Sequence, residues 1–204
     1  MAALVEDLNA VPGVVSVLST IFERLAERND AAVERHAHDL APRHRASAFH
    51  GLTKPSISVR SYLERIFRYA HCSPSCFVVA YIYLDRFVRR HPAVSLDSLN
   101  VHRFLITGVL TAVKFLDDIY YNNAYFAKVG GISLMEMNYL EIDFLFGLGF
   151  ELNVTPVTFG YYCSILQREM YLESSPDPSL SRLQCCLTST DEESSSCQQK
   201  QLAV

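Results

Sequence analysis

The stretch Phe104–Asp118, FLITGVLTAVKFLDD, restricts the fold of this chain more than any other. Between Phe104 and Leu116, thirteen residues, only Thr107, Thr111 and Lys114 break an apolar or small run. A bilayer-spanning helix takes roughly 20 apolar residues, so the run is too short for that. A helix apolar on nearly every face is instead one that other helices wrap. Lys114, close to its end, is the odd residue: a charge in such a setting needs a partner.

The flanking sequence supplies helical neighbours at short intervals. Ser58 is a cap for Val59, Tyr62, Leu63, Ile66, Phe67 and Ala70, which share one helical face. Ser73 with Pro74 starts a second helix, apolar through Phe77–Leu84. That helix stops at Pro92 after Arg89, Arg90 and His91, cations that suit its own C-terminal dipole. Asn100 opens the central third helix. Asn122 or Asn123 opens a short fourth, ended by Gly130-Gly131. Ser133 with Glu136 forms a capping box for the fifth, whose apolar set is Leu134, Met137, Leu140, Phe144 and Leu148. No segment alternates as a strand. The expected class is all-α, five consecutive helices with one flanking helix at each end.

Those flanks divide the chain further. Residues 1–33 carry an amphipathic helix with Val14, Val17, Leu18, Ile21, Phe22 and Leu25 on one stripe, expected to stop near Asn29–Asp30 and to pack on the main domain. Residues 34–56 hold His36, His38, His44 and His50 with three arginines and no period, which reads as a solvated, mildly basic linker. The five helices occupy 57–152. Thr155-Pro156 begins a last short helix in 153–172, with Phe159, Tyr162, Cys163, Leu166 and Met170 on one face. Residues 173–204 are rich in Ser, Gln and acids and are expected to be disordered, with Ser175-Pro176 as a chance-level proline-directed phosphosite.

Composition excludes several function classes. A net charge of −4 gives no basic field for nucleic acid. The first ten residues lack a secretory apolar core, and no transmembrane span is expected. The six cysteines are then expected to be reduced thiols inside a cell, with nuclear or cytoplasmic residence open. Cys72 and Cys76 lack a second pair at zinc-finger spacing, so no metal and no cofactor are expected. Phosphate loops, nucleophile elbows and HExxH are absent, so no catalytic residue and no small-molecule substrate are assigned. Arg60 and Asp85, each among apolar residues on successive helices, are expected to form a structural ion pair. Lys114 and Glu141 are either a second such pair or residues that meet a partner.

The run VRSYLERIFRYA…CFVVAYIYLDRF…LITGVLTAVKFLDD…NNAYFAKVGGISLMEMNYLEIDFLFGLGFEL resembles a cyclin box over about Ile57–Leu152. Its polar marks stand in matching hydrophobic contexts: Arg60, the Asp85 of LDRF, the Lys114 of VKF and the Glu141 of YLEIDFL. The PGVVSVLSTIFERLAERND opening and the NNAYFAKVGGIS turn are similar to plant P-type, or U-type, cyclins, a group related to the fungal cyclin of phosphate signalling. The resemblance implies a regulatory subunit, not an enzyme, that forms a heterodimer with a cyclin-dependent kinase, the plant A-type kinase above all. It implies a role in cell division or nutrient response. It also implies that Lys114 and Glu141 hydrogen-bond backbone groups beside the kinase's αC helix, with Phe115, Leu145, Phe150 and Leu152 filling the apolar contact. Holding αC inward lets its glutamate pair with the ATP-orienting lysine.

Two departures bear on that reading. Only about twenty ordered-looking residues follow Leu152, so one box is expected rather than two. Val59-Arg60-Ser61-Tyr62-Leu63 with Ile66 replaces the Met-Arg-x-x-Leu and tryptophan of the substrate-docking patch, so docking of basic-leucine motifs is not expected. The rival readings are a cyclin-fold adaptor that activates no kinase and a transcription-type cyclin fold.

Overall fold

The computed structural model describes residues 11–36, 48–118 and 120–174. Among these residues the regular structure is seven helices: α1 (Gly13–His36), α2 (Val59–Ala70), α3 (Pro74–Arg90), α4 (Val101–Leu116), α5 (Asn123–Gly130), α6 (Leu134–Gly147) and α7 (Pro156–Ser174). Among the described residues no strand occurs. Helices α2 to α6 are the expected five, and α4 is buried from Val101 through Val113 except at Arg103. Its two threonines cause no unmet polar cost, because Thr107 and Thr111 donate to the Arg103 and Thr107 carbonyls at 2.8 Å each.

Local signals set most of the boundaries. The Ser58, Asn122 and Ser133 side chains accept from the amides of Ser61, Tyr125 and Glu136. Gly131 ends α5 in the left-handed region, φ 70°. The capping box at Ser133 is only half formed: the Glu136 carboxylate turns away to Arg103 of α4 at 2.7 Å. That longer-range ion pair competes for the one side chain the box needs.

Two expectations about the N-terminal third fail for the same reason, tertiary contacts. Asn29 and Asp30 do not stop α1, which runs on to His36. Asn29 Nδ2 instead donates to the Leu96 carbonyl at 2.7 Å, and Asp30 Oδ1 accepts from the Ser98 amide at 3.1 Å. Both residues pin α1 to the loop between α3 and α4. The presumed solvated linker also ends in the core. Phe49 is 1 % exposed and stacks on Phe104 with centroids 4.0 Å apart, edge-on to Phe87 and Phe144. The His38 and His44 positions, the Ser175-Pro176 dipeptide and the serine-rich tail lie outside the described residues.

The expected Arg60–Asp85 pair does not form. Arg60 is the second residue of α2 and points outward, pairing with Glu64 one turn on at 3.3 Å. Asp85 is buried on α3, where its Oδ2 meets Arg89 at 2.9 Å and accepts from the Tyr162 hydroxyl of α7. A neutral hydroxyl from a distant helix and an arginine on the same helix together replace the cross-helix arginine.

Among the core's polar groups, His102 of α4 is held neutral. Its Nε2 lies 3.0 Å from the Ile57 carbonyl, an acceptor, so that nitrogen carries the hydrogen. Burial, with the nearby charges of Lys54 and Arg103, pushes its pKa below the usual value, against the opposing Ile57 hydrogen bond. The unfolded chain then takes up this proton at higher pH than the fold does. His102 therefore contributes stability that is complete above the unfolded pKa of about 6.5 and is lost as pH falls through the lower folded value. Urea midpoints measured from pH 7.5 to 5 should fall for the wild type and fall less for His102→Gln.

Candidate functional site

The C-terminal end of α4 is where the buried helix reaches the surface. Lys114 is half-buried there, and its Nζ lies 2.6 Å from Glu141 Oε1 of α6. Next to it Phe115 is 49 % exposed. Glu141 is held from a second side, because Asn123 Nδ2 of α5 donates to its Oε2 at 2.7 Å. Three helices thus meet at one carboxylate. The lysine ammonium has three donors, of which this pair uses one, so it can offer others to carbonyl groups of a partner.

Leu145 follows Glu141 by one helical turn and lies on the same face of α6, half-buried. Phe150 and Leu152 come from the turn after α6. Gly149 and Phe150 both adopt left-handed backbone, φ 60° and 59°, and Phe150 is 58 % exposed. Glycine takes that conformation freely; phenylalanine does so at a cost and needs the surroundings to impose it. They do. His91 donates to the Gly147 carbonyl at 3.1 Å, Arg90 to the Leu148 carbonyl, and Arg86 to the Glu151 carbonyl at 2.8 Å, while Arg90 also pairs with the Glu151 carboxylate at 2.6 Å. Tyr83 donates to the Leu152 carbonyl at 2.7 Å. The basic end of α3, expected to serve its own dipole, mainly fixes this turn. Gly147 permits the approach: a Cβ there would fall 2.1 Å from the Phe87 ring.

Of the six residues expected at a partner contact, the structure joins Lys114 and Glu141 directly. Phe115, Phe150, Leu145 and Leu152 are positioned by their own elements, the first two exposed and the last two half-buried. Sequence reasoning missed Asn123, and it missed how far the apolar surface extends. Leu134, placed in the expected core set, is 48 % exposed, and Met135, Tyr139, Ile142 and Phe146 of α6 are exposed as well. The signal was present in LMEMNYLEIDFLFG, which holds more apolar residues than one buried face takes. Only Met137, Leu140 and Phe144 are buried.

The position that would dock substrate in other members of the resembled family is closed. Val59, Leu63 and Ile66 are all buried, with α1 packed over α2 and Glu23 accepting from the Arg60 amide at 3.1 Å. Cys72 and Cys76 are buried thiols beside Asp117, whose carboxylate oxygens lie 3.8 and 3.7 Å from the Cys76 sulfur. Among the described residues no group of three or more His, Cys, Asp or Glu is placed to hold a metal ion.

A family model for the cyclins matches residues 13–152, which takes in α1 through the turn after α6. The chain belongs to the cyclin family. It is 64 % identical over 190 residues to Cyclin-P4-1 of Oryza sativa subsp. japonica, covering 92 % of this chain and 88 % of that protein. It is 60 % identical over 170 residues to Cyclin-U4-1 of Arabidopsis thaliana, covering 83 % and 82 %. Cyclin-U1-1 of the same plant is 43 % identical over 166 residues, 81 % of this chain and 78 % of its own length. This cyclin is therefore of the plant P-type and U-type group, and its all-α box is that of the family.

Proposed function

We propose that this cyclin is the non-catalytic regulatory subunit of a cyclin-dependent kinase, a plant A-type kinase in the first instance, acting in cell division or nutrient signalling. The observation that carries the reading is the half-buried Lys114–Glu141 pair, 2.6 Å apart, at the edge of an exposed apolar surface. A pair with a purely structural role gains little at a surface. One that keeps spare N–H donors beside Phe115 can satisfy backbone carbonyls of a docked chain while the apolar neighbours exclude water.

Activation then needs no chemistry from the cyclin. A kinase whose αC helix moves between outward and inward positions is shifted inward if the cyclin binds that state more tightly. The inward helix brings its glutamate to the ATP-orienting lysine. Phe150, Leu145 and Leu152 supply the apolar part of that differential affinity, and the rigid turn that carries Phe150 and Leu152 lowers the ordering cost of binding.

Calorimetric titration of the purified chain into a plant A-type cyclin-dependent kinase tests the contact. One-to-one binding with a negative heat-capacity change is expected, the mark of apolar burial. Heat-capacity change near zero, or affinity unaltered by Phe150→Ser, would place the contact elsewhere.

A further inference from the structure

Helix α5 begins with two asparagines that serve different ends. Asn122 is the cap: its side-chain oxygen accepts from the Tyr125 amide at 3.0 Å. Asn123, the first residue of the helix, reaches across to α6 instead. Its Nδ2 donates to Glu141 Oε2 at 2.7 Å and to Asn138 Oδ1 at 2.8 Å. Asn138 and Glu141 are three residues apart, on neighbouring positions of one helical face. Both hydrogens of the Asn123 amide are used, and the reverse amide orientation would set oxygen against a carboxylate. The Asn123 Oδ1 is buried and meets no partner among the described residues. A buried acceptor in that state works against folding and offsets part of what the two donated hydrogen bonds contribute.

We propose that Asn123 is a positioning residue of the kinase contact: it locks the Glu141 carboxylate so that Lys114 is held with its remaining donors directed to the partner. The inference rests on the kinase-binding reading above. Glu141 Oε1 is taken by Lys114 and Oε2 by Asn123, so the carboxylate cannot turn to follow the lysine into solvent. The ammonium, the carboxylate and the amide form one unit across α4, α5 and α6. Docking then orders fewer rotamers than it would with a free lysine and a free glutamate.

Three variants test it: Asn123→Leu, Asn123→Asp, and the exchange Asn123→Asp with Glu141→Gln. In Asn123→Leu the unmet acceptor disappears along with the two donated hydrogen bonds, so these offset and the melting temperature should change little while kinase affinity falls roughly tenfold. A purely structural residue would lose both together, and that result overturns the proposal. Asn123→Asp sets two carboxylates face to face and should weaken binding further, by about 30-fold. The exchange restores the pattern with unchanged net charge: the new glutamine amide donates to the new aspartate while its oxygen still accepts from Lys114. Recovery to within about threefold of wild type is expected, and an exchange as weak as Asn123→Asp alone overturns the proposal. One further readout does not involve the kinase. The Asn123 side-chain amide protons should exchange slowly in the free chain and quickly in Glu141→Ala, and equal exchange in the two proteins would show that Asn123 does not hold Glu141. Failure of the wild type to bind kinase would count against the kinase reading and so against this role, while the amide protons would still report the hydrogen bond.

Discussion

Phe49→Ala is expected to lower the unfolding free energy by about 3–5 kcal/mol, the range for removing a fully buried aromatic ring from a packed core. The ring stacks on Phe104 at 4.0 Å with an interplanar angle of 8°, and has edge contacts to Phe87 at 5.7 Å and Phe144 at 6.1 Å. Those three partners come from α4, α3 and α6, so Phe49 is a plug between the central helix and two of its neighbours. Close stacking leaves little room for collapse, and cavity cost adds to lost transfer energy. Against a typical domain stability of about 5–15 kcal/mol, the loss is a large share of the total. Urea denaturation followed by circular dichroism reads it directly, as a lower midpoint with unchanged slope. A change below about 1 kcal/mol, the level of an ordinary surface substitution, would mean that the segment before α2 is a linker after all.

Glu141→Ala is expected to act in the opposite way, with a small effect on the fold and a large one on binding. In the free chain it frees Lys114 to extend into water and leaves the Asn123 amide one acceptor short. That is a cost of about 1 kcal/mol, since Lys114 is half-exposed and rehydrates. In the complex the same truncation leaves an ammonium under a docked chain without its counter-charge. Removing one member of a desolvated hydrogen-bonded charge pair costs about 2–5 kcal/mol of affinity, so roughly a 100-fold weaker dissociation constant is expected for the kinase. The midpoint of thermal unfolding and the kinase dissociation constant, measured on the same preparation, separate the two effects. A loss of affinity matched by an equal loss of stability would assign Glu141 to the fold rather than to the contact.

What could be read in the residues, and what could not, divides along local and non-local physics. The caps at Ser58, Asn122 and Ser133, the proline starts at Pro74 and Pro156 and the left-handed stop at Gly131 depend on a few neighbouring residues, and all lie where the pattern puts them. The all-apolar run of α4 likewise implies its own burial. The failures each involve a partner far along the chain. Asn29 and Asp30 look like a stop until the loop at Leu96 and Ser98 is brought against them. Phe49 is a lone aromatic in a polar stretch, and periodicity cannot register a single residue. Asp85 needed a partner, but nothing in local spacing points to Tyr162, which lies 77 residues away. At the candidate site, Lys114 and Glu141 stood out because charges in apolar runs are costly. Asn123 did not, since an asparagine at a helix start is already explained as a cap. The outward apolar residues of α6 were hidden by the opposite problem: excess hydrophobicity on a helix reads as core until the packing shows that three residues suffice.

The most direct measurement is the rate at which a plant A-type cyclin-dependent kinase phosphorylates a histone-type substrate, with this cyclin added and without it. It is compared with the Lys114→Ala/Glu141→Ala double variant, shown by circular dichroism to keep its helices. The account predicts that the wild type raises the rate well above that of the kinase alone and that the folded double variant leaves it at the basal level. Equal stimulation by both proteins would remove the pair from the contact, and wild type that binds the kinase without stimulating it would contradict the account and leave an adaptor in its place.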